Sequence, residues 1–233
     1  MIDIQTILAF DRDLLLAMNG SDSLFLDRWM MLLTCGFTWI PLYIALLYVV
    51  IKNNETMTQI LLILGCSLLC VVLADGVTDF IVKPLVGRWR PSNDPIIKYA
   101  VQVVDGMRGG DYGFFSAHAA NTFSIALFFC LLVRSKILSA SLIIWSLVNC
   151  YTRIYLGLHY PLDILCGLLW GAAVGVFAYY VYCKVYNRIS PVNNYVSTQY
   201  TSTGYSLDDV DMVELVLVSI FIVTAIAAVV VSF

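Results

Sequence analysis

Long uninterrupted apolar runs constrain this sequence more than any other feature. Trp29–Ile51, Ile60–Val82, Ser116–Val133, Leu138–Leu158, Leu162–Val185 and Val213–Phe233 each carry few or no charges. At about 1.5 Å of rise per residue, such runs are long enough for helices that cross a hydrocarbon core about 30 Å thick. Lipid offers no partner for a free backbone group, so a run of this kind must close its hydrogen bonds within itself as a helix. Composition agrees. Of the 233 residues, 61% are hydrophobic and 12% charged, where a soluble domain carries about 25% charge. This excludes a soluble globular enzyme and a disordered chain. A formal net charge of −3 excludes a nucleic-acid binder. The expected fold class is all-α, a polytopic transmembrane helix bundle of about six spans.

The segments outside these runs divide the chain further. Residues 1–20 lack a basic leader. Ile4, Ile7, Leu8 and Leu15, with Asp11, Arg12 and Asp13, predict a short amphipathic helix lying at the membrane interface. Asn19-Gly20-Ser21-Asp22 reads as a turn. Residues 21–188 form the expected membrane core, 189–212 a polar linker, and 213–233 an additional C-terminal span. The seven cysteines all fall in or beside apolar runs, and none has a C-x-x-C spacing, so they read as small buried or lipid-facing residues. Alternating the spans puts Lys52, Arg134, Lys136, Lys184 and Arg188 on one side, which the positive-inside rule makes cytoplasmic. The loop from Lys83 to Phe115 then lies on the opposite side. It holds Lys83, Arg88, Arg90, Lys98 and Arg108, basic residues that topology does not explain.

Both histidines of the chain, His118 and His159, stand at span ends on that same side. Lys83, Arg90, Ser116, Arg153 and Asp163 reach the same face by alternation. Ionisable residues at membrane depth face a bundle interior or a wet cavity. Three permanent cations, Lys83, Arg90 and Arg153, suit a multiply charged anion, and an arginine fork matches phosphate bidentately. Ser116 and Ala117 open a span, where free amides and the helix dipole favour an anion. Asp163, four residues after His159, is placed to fix the imidazole tautomer, leaving the other ring nitrogen as a nucleophile. His118 is placed to protonate a departing alcohol. The set fits phosphoryl transfer.

These residues occur in recognisable runs. Lys83-Pro-Leu-Val-Gly-Arg-Trp-Arg90-Pro91 resembles the first motif, K-x6-R-P, of the type 2 phosphatidic acid phosphatase superfamily. Phe115-Ser116-Ala117-His118 resembles the second, P-S-G-H, with Phe115 for proline and Ala117 for glycine. Thr152-Arg153 through His159 to Asp163 resembles the third, S-R-x5-H-x3-D, with Thr152 for serine. The likeness covers about residues 60 to 185. It implies a phosphohistidine formed on His159, oriented by Asp163, with His118 as general acid. Lys83, Arg90, Ser116 and Arg153 would hold the phosphate, with no metal and no cofactor. The implied substrate is a lipid phosphate or diphosphate, of the undecaprenyl diphosphate, phosphatidylglycerophosphate or lipid A type. The implied location is the bacterial inner membrane, with the site on its extracytoplasmic face. Membrane lipids are the other expected partners, with no nucleic acid among them. Arg88, Lys98 and Arg108 are expected as headgroup contacts, reaching a second phosphate.

Simpler roles stand beside these. Asp75 and Asp79 fit either a helix-end pair in the headgroup zone or partners for a site cation. Gly167, Gly171 and Gly175 repeat every four residues and predict close helix packing. Two other functional classes share the same residues: a lipid phosphotransferase using the same histidine, and a non-enzymatic anion-binding or transport protein. Product analysis separates the first. The second would need a polar path through the whole bilayer, whereas the charged groups cluster at one end.

Overall fold

A computed structural model describes residues 3–189 and 198–232. Among these residues the chain is helical, with two isolated β-bridges and no strand. The first helix, α1 (Ile4–Met18), is capped by Asp3 and ends at the turn predicted from Asn19 onward. It buries Asp11 and Leu15 and leaves Ile4, Ile7 and Phe10 exposed.

The first expected span is broken. Its residues form α2 (Leu24–Thr34) and α3 (Ile40–Lys52), joined by a 3-10 turn over Gly36–Trp39 and bent by 68°. Two carbonyls before the break find side-chain donors. Thr38 Oγ1 donates to Leu32 O at 2.6 Å, and Trp39 Nε1 donates to Leu33 O at 2.9 Å. Such replacements are what make a break tolerable at membrane depth.

The second run is continuous with the site loop. Helix α4 (Met57–Val77) starts at a capping box formed by Thr56 and Gln59. It widens into a π-turn over Thr78–Val82 and continues as α5 (Lys83–Val86), which ends on Gly87 in the left-handed conformation. Wide turns of this kind concentrate at functional sites, and this one lies directly before Lys83. Helix α6 (Ala117–Val133) is capped by Ser116, α7 (Lys136–Tyr155) by Ser135, and α8 (Pro161–Ile189) starts on a proline that suits the first helical position. Helix α9 (Leu207–Ser232) closes the chain.

Among the described residues four helices are long and apolar enough to cross a membrane, or five if the bent pair counts as one span. Helix α6, with 17 residues, is apolar but shorter. The expected linker lies partly outside the described residues. Of its described part, Tyr200 and Ser206 bridge, and Thr201 and Tyr205 are buried. Helix α6 is the centre of the bundle, packed on α4, α7 and α8, while α9 packs on α2 and α3. The main core, with Trp39, Phe128 and Trp145 fully buried, fills the half of the bundle away from the two histidines. That leaves the opposite ends of α4, α6, α7 and α8 free to build a polar site. All seven cysteines are free thiols.

Candidate active site

The third motif forms the floor of the site. Helix α7 ends at Tyr155, and the chain turns back on Arg153 O, which accepts from the amides of Leu158 at 2.9 Å and His159 at 3.3 Å. His159 is thereby fixed above the first turn of α8, where Asp163 is fully buried. Asp163 Oδ2 accepts from the Tyr160 amide at 3.0 Å and lies 3.6 Å from His159 Nδ1. The other imidazole nitrogen, Nε2, is 3.1 Å from Arg90 Nη1. A guanidinium can only donate. Nε2 therefore carries the lone pair, and the proton sits on Nδ1, aimed at Asp163. Burial, and then the charges of Arg90, Arg153 and Lys83 with His118, hold the His159 pKa well below its ordinary value. The ring is neutral, as a nucleophile requires.

The first motif supplies the cations. Arg90 is buried. Its Nη1 also reaches Leu158 O at 3.2 Å, and its Nε has no partner within the protein. Lys83 pairs with Asp79, one turn earlier. Arg153 donates from Nη1 to Thr34 Oγ1 at 2.8 Å, and its Nε is likewise without a protein partner.

The second motif supplies a helix head. The Ser116 amide donates to Asp163 O at 3.1 Å, which clamps the start of α6 to the start of α8. Ser116 Oγ accepts from the Ala119 amide at 3.3 Å. The amides of Ala117 and His118, in the first helical turn, have no intrahelical acceptor and face the dipole's positive end. His118 Nε2 is buried without a protein partner. The phenylalanine and alanine at 115 and 117 leave this geometry intact: both are buried, and Ala117 is ordinary helix.

The expected headgroup contacts behave differently. Arg88 is committed within the protein. Its Nη1 donates to Asp163 Oδ1 at 2.7 Å and its Nη2 to Asp11 Oδ2 at 2.6 Å, while its guanidinium stacks on Tyr160. Burial opposes its charge, but the two carboxylates outweigh that and raise its pKa. Arg108 donates to Ser92 O, and Lys98 lies over the exposed Tyr99 ring. Asp75 accepts from Asn121 and Asp79 from Lys83, so the second of that pair does hold a site cation.

Several residues that matter here carry no sequence signature. Asp11 and Thr34 come from distant elements. Gly113 places backbone directly against the dyad: a Cβ there would lie 3.1 Å from Arg90 Cγ, 3.3 Å from Asp163 Oδ2 and 3.5 Å from His159 Nδ1. Among the described residues no group of three His, Cys, Asp or Glu is placed to hold a metal ion. The buried nitrogens left without protein partners there, on Arg90, Arg153 and His118, are cationic or neutral and suit an anion.

Fold and site together define a polytopic helical membrane protein with a cationic, histidine-based site at one end of its bundle. That class has a specific assignment. The PAP2 superfamily model matches residues 61–187, and the chain belongs to that superfamily as a membrane lipid phosphatase. It is similar to a lipid A 4'-phosphatase of Bacteroides thetaiotaomicron, 39% identical over 181 residues covering 77% of this chain and 80% of the relative. It is also similar to a lipid A 4'-phosphatase of Porphyromonas gingivalis, 37% identical over 187 residues covering 79% and 78% of the two chains. No solved structure matches the chain significantly.

Proposed function

We propose that this phosphatase removes the 4'-phosphate of lipid A or a close glycolipid, through a phosphohistidine on His159, at the extracytoplasmic face of a bacterial inner membrane. The observation that carries the mechanism is a set of buried nitrogens without protein partners beside His159: Arg90 Nε, His118 Nε2 and Arg153 Nε. Buried donors are normally satisfied, and three from one constellation, two of them on guanidinium groups, suit an anionic substrate. The two relatives named for lipid A support the substrate, and the basic flanks at the other end of the bundle support the orientation.

A phosphate entering between Arg90 and Arg153 offers oxygens to both guanidinia. Arg90 Nη1 then has a stronger acceptor than His159 Nε2, and the nitrogen lone pair is released toward phosphorus. Nε2 attacks, the P–O bond to the sugar breaks, and His118 delivers a proton to the leaving oxygen. Asp163 takes up the growing positive charge on the ring through Nδ1–H. Water then attacks the phosphohistidine, with His118 accepting its proton, and the N–P bond breaks to release phosphate and neutral His159. Lys83, Arg90, Arg153 and the first amides of α6 stabilise charge on the equatorial oxygens throughout.

The test is phosphate release by purified protein in detergent with EDTA. The panel is lipid A, undecaprenyl diphosphate, phosphatidylglycerophosphate and phosphatidic acid, with mass spectrometry to locate the phosphate lost. We expect lipid A to lead and its 4'-phosphate to go, with His159→Ala slower by roughly 10³-fold or more. A different lipid turned over faster than lipid A would refute the substrate. An active His159→Ala variant would refute the mechanism. Transfer of the phosphoryl group to a second lipid, without free phosphate, would make the protein a transferase.

A further inference from the structure

We infer that Asp11, on the N-terminal helix, is a positioning residue for catalysis: through Arg88 it sets Asp163 against His159. The inference rests on His159 being the nucleophile.

Asp11 is 4% exposed, unusual for a carboxylate on a helix whose exposed side is apolar. Its Oδ1 accepts from the Leu162 amide at 2.8 Å, at the head of α8. Its Oδ2 accepts from Arg88 Nη2 at 2.6 Å, and the other terminal nitrogen of Arg88 reaches Asp163 Oδ1 at 2.7 Å. One guanidinium thus joins two buried carboxylates, and the second of these faces the histidine.

Neutralising Arg88 needs only one carboxylate. Burying a second charge is expensive unless it does something the first cannot. Two consequences follow from the geometry. The guanidinium plane is pinned from both edges and from its face by Tyr160, 4.1 Å away, so Arg88 holds Asp163 by Oδ1 alone and leaves Oδ2 turned to His159. The three groups also keep one net negative charge, which a simple Arg88–Asp163 pair would cancel. That charge is available to the imidazolium formed as His159 attacks. Without Asp11, Arg88 is free to swing fully onto Asp163 and draw it away from Nδ1.

Helix α1 is otherwise lightly held. Leu15 is its fully buried side chain, packed with Tyr160 and Ile164. Ile4, Ile7 and Phe10 on the other face are 70%, 42% and 67% exposed, as suits an interfacial helix. The membrane-lying helix therefore contributes a charge to the active site.

The experiment compares Asp11→Asn, Asp11→Glu and Leu15→Ala in detergent, with kcat, KM and Tm measured on the same lipid phosphate. Asp11→Asn keeps an oxygen for the Leu162 amide but lacks the charge. We expect its kcat to fall about 10- to 100-fold, with KM within about twofold and partial rescue in Asp11→Glu. Leu15→Ala loosens α1 while leaving every charged member of the carboxylate chain in place, and should lower Tm with kcat retained. If Asp11→Asn does not fold, Arg88→Lys decides: one ammonium cannot bridge both carboxylates, and the same loss in kcat is expected. Wild-type kcat in Asp11→Asn overturns the inference. So does an equal loss of kcat in Leu15→Ala, or an Arg88→Lys variant in which KM alone rises. An inactive wild type would instead refute the proposed function.

Discussion

Gly167→Ala offers a sharp test of how the site is held together. Helices α6 and α8 meet backbone to backbone. A Cβ built on Gly167 would lie 2.6 Å from Ser116 O, one on Gly171 2.6 Å from Ala120 O, and one on Gly175 2.7 Å from Ser124 O. The three contacts climb both helices in steps of four, which places small residues where the helices approach most closely. Ordinary contact starts at 3.4 Å, so a single methyl must push the helices apart by about 0.8 Å, since the obstacle is a carbonyl that cannot rotate away. Overpacking of this kind costs about 1–3 kcal/mol, and the gain in helix propensity from glycine to alanine returns about 1 kcal/mol. The net change in stability is small for any of the three glycines. The effect on catalysis is not. Ser116 caps α6 two residues before His118, and Asp163 stands one turn before Gly167, so spreading the helices there separates His118 from Asp163 and His159. A displacement near 1 Å costs about 10²-fold in rate. Gly175, two turns deeper, is equally crowded but far from the site. The assay is kcat on a lipid phosphate beside Tm in detergent for Gly167→Ala and Gly175→Ala. Similar small shifts in Tm, with kcat falling sharply only in Gly167→Ala, are expected. Equal loss of kcat in both variants, or none in Gly167→Ala, would show that the α6–α8 seam does not set the distance across the site.

Other consequences are open to direct measurement. Because burial and the neighbouring cations keep His159 neutral, the acid limb of kcat/KM due to the enzyme should fall below the ordinary imidazole value of 6.5. The limb of kcat should lie higher, since a bound phosphate offsets part of the cationic field; a kcat/KM limb at or above 6.5, after the substrate's own ionisation is divided out, contradicts this. Tyr160→Phe removes a 2.7 Å hydrogen bond to the buried Asp94 and should lower stability by about 1–3 kcal/mol, read as a drop in unfolding temperature; an unchanged midpoint would mean that water replaces the hydroxyl. Turnover should be unaffected by EDTA, as the donors around His159 suit an anion, and loss of activity restored by a divalent cation would contradict the mechanism.

The candidate constellation was legible in the sequence because its residue types recur at particular intervals. His159 and Asp163 share one helical turn's spacing, and Lys83 and Arg90 flank a short loop. Those local distances survive folding, and the structure brings His159 within 3.1 Å of Arg90. What interval patterns do not encode is which distant element completes each group. Asp11 meets Arg88 across 77 positions and Thr34 meets Arg153 across 119. Arg88, read from its basic charge as a headgroup contact, turned out to face inward because two carboxylates were there to receive it. The break in the first span escaped the apolar pattern for a similar reason. Both halves are apolar, and only Gly36 and Pro41 hinted at it.

The break has a consequence for the C-terminal helix. A helix bent by 68° cannot pack along a straight neighbour over its full length, so each half needs a surface of its own. Helix α9 packs on both α2 and α3, and Thr224 accepts from the Trp29 indole at 3.1 Å. By covering both halves it holds the end of α2 beside α7, where Thr34 meets Arg153. The last helix, outside the matched family region, thus supports Arg153, one of the arginines proposed to bind phosphate, and its removal should loosen Arg153 before it disturbs His159.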